Sequence, residues 1–151
     1  MARIKEGDVF ELETKKGFTY LHYITKDDSL GELIRVLDIV FLKPISDIQE
    51  LLDIDEKYYV FFPLAVANRK KIIKKVGNIN SEKYNKPSFM KEKHYIGKDF
   101  KGWDIVNTDT WQRQFVKKLN TKQKMLSPWG ILNDTLLIER IENDWTLEKW
   151  S

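Results

Sequence analysis

The feature that most constrains this fold is a pair of β-rich runs near the start of the chain, separated by a short link. The first run extends from Val9 to Thr14, and the second extends from Phe18 to Thr25. Within the first run, Phe10 and Leu12 fall on one face, because side chains alternate along a strand. The link contains Gly17, a residue that tolerates the backbone conformations of tight turns. Two such runs joined in this way predict an antiparallel hairpin.

The pattern that follows predicts two more strands and two short helices. Glu32 to Phe41 is predicted as a third strand, and its near-continuous apolar character is typical of a strand buried on both faces. A fourth strand is predicted from Lys57 to Phe62, where Pro63 ends it. Helices are predicted from Asp47 to Leu52 and from Leu64 to Lys71, on capping residues and apolar spacing.

The middle of the chain is less regular. Residues 72–77 fit either the end of a helix or a strand, and Asn78 to Lys101 show little periodicity, so we predict mostly loop there. A loop of that length is uncommon in a compact domain and is often functional. Residues 102–106 and 111–116 flank a turn-forming tetrapeptide and predict a second hairpin. The apolar spacing that begins at residue 111 also fits a helix.

The last third predicts short helices and completes the fold class. Thr121 can cap one helix, and Asn133 can cap another from Asp134 to Glu142. We therefore predict a single α+β domain over residues 1–151, with a curved, mainly antiparallel sheet of five to seven strands and a few short helices. The link from Phe41 to Lys57 is long enough for a crossover, so one parallel pair stays open.

Two glycines stand where strands are predicted to begin. Gly7 precedes the first strand, and Gly31 precedes the third. Glycine adopts positive φ more readily than any other residue, and it lets another backbone approach closely. We therefore expect at least one of these two glycines to show one of these features.

Composition indicates a globular protein. Hydrophobic residues make up 42% and charged residues 32% of the 151 residues, which is unlike a disordered chain. No apolar run approaches the ~20 residues of a membrane-spanning helix, and the first residues lack the apolar centre of a signal peptide. The chain contains no cysteine, which excludes disulfides and thiol catalysis. We expect a cytoplasmic protein that binds no membrane.

Charge is distributed unevenly along the chain, although its net value is only +3. Asp27 to Glu56 contain nine acidic and two basic residues, whereas Arg69 to Lys101 contain eleven basic and three acidic residues. The simpler interpretation is two ordinary solvated faces. The functional interpretation is a patch that meets a charged partner, since charge of one sign speeds association.

No motif for catalysis or for metal binding is visible. His22 and His94 are far apart, and His22 lies inside a predicted strand, where a packed or hydrogen-bonded histidine is the usual interpretation. A Gly-rich phosphate loop and a nucleophile elbow are both missing from the sequence. The paired carboxylates Asp27 and Asp28 lack the spacing of a calcium loop. We predict no catalytic residue, no metal site and no cofactor, although a site assembled from distant residues stays open.

The basic segment offers an alternative function. Aromatic side chains are interleaved with its lysines and could stack on single-stranded nucleic acid. Lysine outnumbers arginine there, however, and lysine lacks the planar fork that recognises bases and phosphates. A small nucleic-acid-binding module that uses residues 69–101 is therefore the second hypothesis.

Glycines and aromatic residues mark several positions in the first 90 residues. These landmarks are Ile4–Leu12, Gly31–Leu37, Phe61–Leu64, Val76–Asn78 and Pro87–Phe89. In this arrangement the chain resembles the immunity protein 26 family, whose members are associated with bacterial polymorphic toxin systems. The last third is similar only loosely, and the link from Thr14 to Gly17 is less glycine-rich than the hairpin typical of the family.

This resemblance implies a small cytoplasmic α+β protein that binds and neutralises a cognate bacterial toxin domain. Such a protein acts by occlusion and needs no catalytic residue. An inhibitor that faces a basic toxin presents acidic groups, and acidic residues at the ends of strands and helices are well placed to do so. The predicted partner-binding residues are Asp27, Asp28, Asp53, Asp55 and Glu56.

Overall fold

The computed structural model describes residues 3–150, and its larger sheet has five antiparallel strands. These strands are β1 (Asp8–Thr14), β2 (Gly17–Asp27), β3 (Gly31–Leu37), β4 (Glu56–Phe61) and β5 (Ile73–Asn78). Their order across the sheet is β4-β3-β2-β1-β5. Because β3 and β4 are antiparallel, the long link between them is not a parallel crossover.

A second, three-stranded sheet follows in the chain. It is formed by β6 (Phe89–Ile96), β7 (Asp99–Asn107) and β8 (Arg113–Val116), in the order β6-β7-β8. The helices are α1 (Leu64–Arg69), α2 (Thr121–Lys124) and α3 (Asp134–Glu142), with a 3₁₀ turn at Ile48–Leu51. Within residues 3–150, no helix is long and apolar enough to cross a membrane. The α+β class is confirmed, with eight strands divided between two antiparallel sheets.

Both predicted hairpins are confirmed. β1 and β2 pair with Phe10 opposite Leu21, and β7 and β8 pair with Ile105 opposite Gln114. The prediction for α3 is also confirmed, because the Asn133 side chain accepts a hydrogen bond from a backbone N–H in its first turn. Each of these elements is specified by alternation of neighbouring side chains or by a capping residue, and it could therefore be predicted from the sequence.

Other boundaries differ from the prediction. The third strand ends at Leu37, and Phe41 forms only an isolated bridge with Phe18. The turn after it is capped by Asp47 and is 3₁₀ rather than α-helical. Residues 73–78 form a strand, β5, which is one of the two alternatives left open for residues 72–77. The loop predicted over residues 78–101 is wrong, since β6 and the start of β7 lie there.

The five-stranded sheet buries both of its faces. One face packs Phe10, Ile34 and Val60 against Leu137 of α3. The other face packs a second cluster that includes Tyr20 and the 3₁₀ turn. The interior strand β3 is therefore covered on both sides, as its apolar run predicted, and any polar side chain on it must find partners inside the protein.

Both glycines that precede strands adopt positive φ, which confirms that prediction. Gly7 has φ +94° and Gly31 has φ +85°. A Cβ atom on Gly7 would lie only 2.9 Å from the Ile79 carbonyl oxygen, whereas the space around Gly31 is open. Glycine at position 7 therefore allows both the positive φ of the turn and the close approach of the backbone at Ile79.

Candidate binding cleft

Four of the five acidic residues predicted to bind a partner line two adjoining clefts. Asp53, Asp55 and Glu56 line the first, a cleft of about 470 Å³ that we call the acidic cleft. Asp27 lines the second, of about 380 Å³. Tyr84 lines both clefts. The fold thus brings acidic residues from two separate parts of the sequence close to one aromatic side chain.

Two of the predicted residues also hold the structure together. The Asp27 Oδ1 atom accepts backbone N–H groups from residues 29 and 30, at 2.8 and 2.9 Å, and closes the turn after β2. The Glu56 carboxylate accepts a hydrogen bond of 2.8 Å from Arg35. The remaining three, Asp28, Asp53 and Asp55, are exposed. Of these three, Asp53 and Asp55 line the acidic cleft and are available to a partner.

The floor of the acidic cleft is built on Arg35, a residue that the sequence analysis did not identify. Its side chain is only 1% exposed. Its Nε atom donates to His22 Nδ1 at 3.1 Å, and its Nη1 atom donates to Glu56. The guanidinium carbon lies 3.8 Å from the centre of the Tyr84 ring, which is a cation–π contact. A cation inside the apolar run of β3 was the signal that could have revealed this cluster.

His22 supports Arg35 from the neighbouring strand. The two residues are paired across β2 and β3, and His22 Nε2 lies 2.7 Å from the Ile79 carbonyl oxygen. The Nε2 atom must therefore carry the proton, because Nδ1 accepts from Arg35. Burial lowers the pKa of His22 to about 4, so the imidazole is neutral. The expectation that His22 is a hydrogen-bonded, packed residue is confirmed.

This buried, neutral imidazole predicts a loss of stability in acid. The unfolded chain binds a proton at His22 near pH 6.5, whereas the folded protein binds it only near pH 4. The contribution of neutral His22 to the free energy of unfolding is therefore fully present above pH 6.5 and is lost as the pH falls towards 4. The expected loss is about 3 kcal/mol of unfolding free energy.

Urea unfolding at several pH values measures this effect, with His22→Gln as the matched variant. Glutamine can donate to Ile79 and accept from Arg35 without titrating. The stability of the variant should therefore fall less between pH 6.5 and 4 than that of the parent protein. Identical pH profiles for the two proteins would contradict the role assigned to His22.

The open side of the acidic cleft favours a cation. Three carboxylates line it, and the basic groups among its lining residues are Arg35 and Lys83. Arg35 is buried and already paired with Glu56, and the exposed Lys83 offsets one of the two exposed aspartates, so Asp53 and Asp55 leave the open side of the cleft with a net charge of −1. The arrangement can bind a basic surface by charge.

Three lysines of the basic segment, residues 69–101, are engaged within the protein. Lys91 is fully buried, and its Nζ atom donates to three backbone carbonyl groups. Lys75 pairs with Asp8 at 3.2 Å, and Lys86 pairs with Asp109 at 2.9 Å. These lysines therefore contribute little to a patch that could bind the phosphates of a nucleic acid.

A second polar cluster lies on the three-stranded sheet. His94 Nδ1 is 3.0 Å from Asp104 Oδ2, and Arg113 bridges Asp104 and Glu92. The His94 ring also packs edge-on against Phe115. Within residues 3–150, no group of three or more His, Cys, Asp or Glu side chains is arranged to hold a metal ion. We interpret this cluster as a cross-strand ion-pair network.

Comparisons with known proteins gave no relative for this chain. No protein-family model, no curated protein and no solved structure matched it. The resemblance to the immunity protein 26 family therefore stays a prediction. The functional proposal therefore rests on the geometry and charge of the clefts.

Proposed function

We propose that this protein is a non-catalytic immunity protein that binds and neutralises a cognate bacterial toxin domain. The observation that carries the proposal is the acidic cleft, where Asp53 and Asp55 are exposed above a floor held by Arg35 and Glu56. The floor residues lie on strands β3 and β4, and a preformed surface needs little rearrangement when its partner docks. The proposed partner is a toxin domain with a basic surface, met in the cytoplasm.

The floor of the cleft supports this proposal because it holds one of the three carboxylates, that of Glu56, in place. Glu56 begins β4 and is held by the buried guanidinium of Arg35. Asp53 and Asp55 lie in the short connection between the 3₁₀ turn and β4. Acidic groups in such a position speed the encounter with a basic partner by electrostatic steering.

The test uses the double variant Asp53→Asn, Asp55→Asn and a basic toxin domain encoded beside this chain. Association at low salt should slow about tenfold, and its dependence on salt should flatten, because two steering charges are removed. The free energy of unfolding should change by less than about 0.5 kcal/mol, since both side chains are exposed. Stopped-flow mixing at several salt concentrations measures the rate.

Asp99→Asn is the matched control, because Asp99 is an exposed carboxylate in the other sheet, at the turn between β6 and β7. It should leave the rate unchanged. An unaltered rate in the double variant would remove the acidic cleft from the interface. Salt-dependent binding of an oligonucleotide, lost when lysines of residues 69–101 become alanine, would favour the nucleic-acid hypothesis instead.

A further inference from the structure

One tryptophan adopts a backbone conformation that is unfavourable for its residue type. Trp111 lies in the turn between β7 and β8 and has φ +64°, in the left-handed region that a bulky side chain rarely occupies. Its side chain is 45% exposed, so burial offsets the unfavourable conformation only in part. Strained residues cluster at binding and catalytic sites, which makes Trp111 a candidate binding residue.

The turn that carries Trp111 is held by hydrogen bonds. The Trp111 N–H donates to the Asn107 carbonyl oxygen at 2.8 Å, and the Asn107 side chain accepts the N–H groups of residues 109 and 110, at 2.9 and 3.1 Å. The Thr108 N–H donates to the Ser88 carbonyl oxygen at 2.9 Å. The indole is therefore presented by a fixed turn, and a partner that contacts it pays little entropy to order the chain.

Trp111 borders the cleft of about 380 Å³ that adjoins the acidic cleft, which we call the second cleft. Its ring packs edge-on against Trp129, with 5.6 Å between ring centres, and Trp129 packs in the same way against Phe61 at 6.0 Å. Phe61 lines the second cleft. Separately, Lys86 lines this cleft and pairs with Asp109 at 2.9 Å. Two independent contacts therefore join the Trp111 turn to the second cleft.

The second cleft carries an excess of acidic groups. Its lining holds three carboxylates and two lysines, namely Glu6, Asp27, Glu82, Lys26 and Lys86. Lys86 is already paired with Asp109, so the carboxylates are in excess. Arg113, two residues beyond Trp111, is also paired, with Glu92 and Asp104. A cationic group that approaches Trp111 is therefore attracted, whereas an anionic group is repelled.

We propose that Trp111 is an anchor residue for the basic toxin domain, and that an arginine side chain of the toxin stacks on its exposed indole. This inference rests on the proposed function. Tryptophan is the aromatic residue that attracts a cation most strongly, and the planar guanidinium of arginine stacks on such rings. Tryptophan and arginine are also enriched among the residues that dominate interface energies. The acidic cleft, the second cleft and Trp111 then form one surface, because Tyr84 lines both clefts.

The test compares Trp111→Phe and Trp111→Leu in complexes with the basic toxin domain encoded beside this chain. Both variants keep an apolar side chain at the strained position, but only phenylalanine keeps a ring. Trp111→Leu should speed dissociation about tenfold, and Trp111→Phe only about threefold. Association should change little in either variant, because no charge is removed. Surface plasmon resonance measures both rates.

Phe100→Leu is the matched control, because Phe100 is an aromatic residue of similar exposure, 49%, at the opposite end of β7. It should leave both rates unchanged. Circular dichroism checks that each variant is folded. If Trp111→Leu does not fold, Trp111→Phe decides the role of Trp111 by its threefold effect.

The outcomes separate this inference from the proposed function. A parent protein that does not bind the toxin domain would contradict both. Binding by the parent protein, with unchanged dissociation of the Trp111 variants, would overturn the role of Trp111 alone. Dissociation of Trp111→Leu that is no faster than that of Trp111→Phe would show an apolar contact and would overturn the stacked arginine.

Discussion

Replacing Arg35 with methionine is expected to lower the free energy of unfolding by about 3 kcal/mol, measured by urea denaturation. The change removes the hydrogen bond to His22 Nδ1 and the ion pair with Glu56, and it also removes the cation stacked on Tyr84. Methionine still fills much of the buried volume, so the loss reports the polar contacts more than a cavity.

Two further variants separate the contacts of Arg35. Arg35→Lys keeps the charge near Glu56 but cannot donate through Nε to His22, so its loss should be smaller than that of Arg35→Met. Combining Arg35→Met with Glu56→Gln should cost less than the sum of the single changes, because the two residues are paired. A loss below about 1 kcal/mol in Arg35→Met would show that this cluster is not a determinant of stability.

Replacing Lys91 with methionine should lower the free energy of unfolding by about 3 kcal/mol or more. The Lys91 ammonium donates to the carbonyl oxygens of Lys124, Leu147 and Trp150, at 2.7, 2.9 and 2.7 Å. Burial lowers the pKa of Lys91 to about 8, so the group remains charged at pH 7. Without it, three carbonyl groups lose their charged donor and the end of the chain loses its anchor to β6.

Lys93→Met is the matched control for Lys91. Lys93 lies on the same face of β6, two residues further on, and its Nζ atom is 5.9 Å from the centre of the Trp103 ring. Its removal should cost less than about 1 kcal/mol, the usual value of a partly exposed cation–π contact. Urea denaturation followed by tryptophan fluorescence measures both variants. Equal losses at the two positions would contradict the anchoring role of Lys91.

Burial of Lys91 also explains why the sequence predicted a loop over residues 78–101, where the structure contains β6. In β6, Met90 and Lys91 are both buried, so one inward-facing position of the strand carries a charge. A lysine at such a position breaks the alternation by which a strand is recognised, and the segment therefore resembled a solvated loop. The acceptors that make its burial possible lie 33, 56 and 59 residues further along the chain. No local pattern contains them.

The sequence predicted only part of the candidate site, because some of its residues come together only in the folded protein. The acidic composition of residues 27–56 identified Asp53, Asp55 and Glu56, which do share a cleft. The turn-forming residues after β2, rather than the acidic composition, indicate that Asp27 closes a turn through its own carboxylate. The acidic composition could not identify Arg35 as the floor, because Tyr84 and His22 reach it from other parts of the chain.

The sequence alone determined the two hairpins, the capped helix α3 and the α+β class, because alternation, turn residues and caps act over a few neighbouring residues. The tertiary structure decided which charged side chains are buried and which acidic residues meet. Burying Lys91 is favourable only when carbonyl groups from distant parts of the chain accept its hydrogen bonds, and burying Arg35 likewise depends on His22 and Glu56. Those partners come together only when the strands and loops pack, and the same packing forms the acidic cleft.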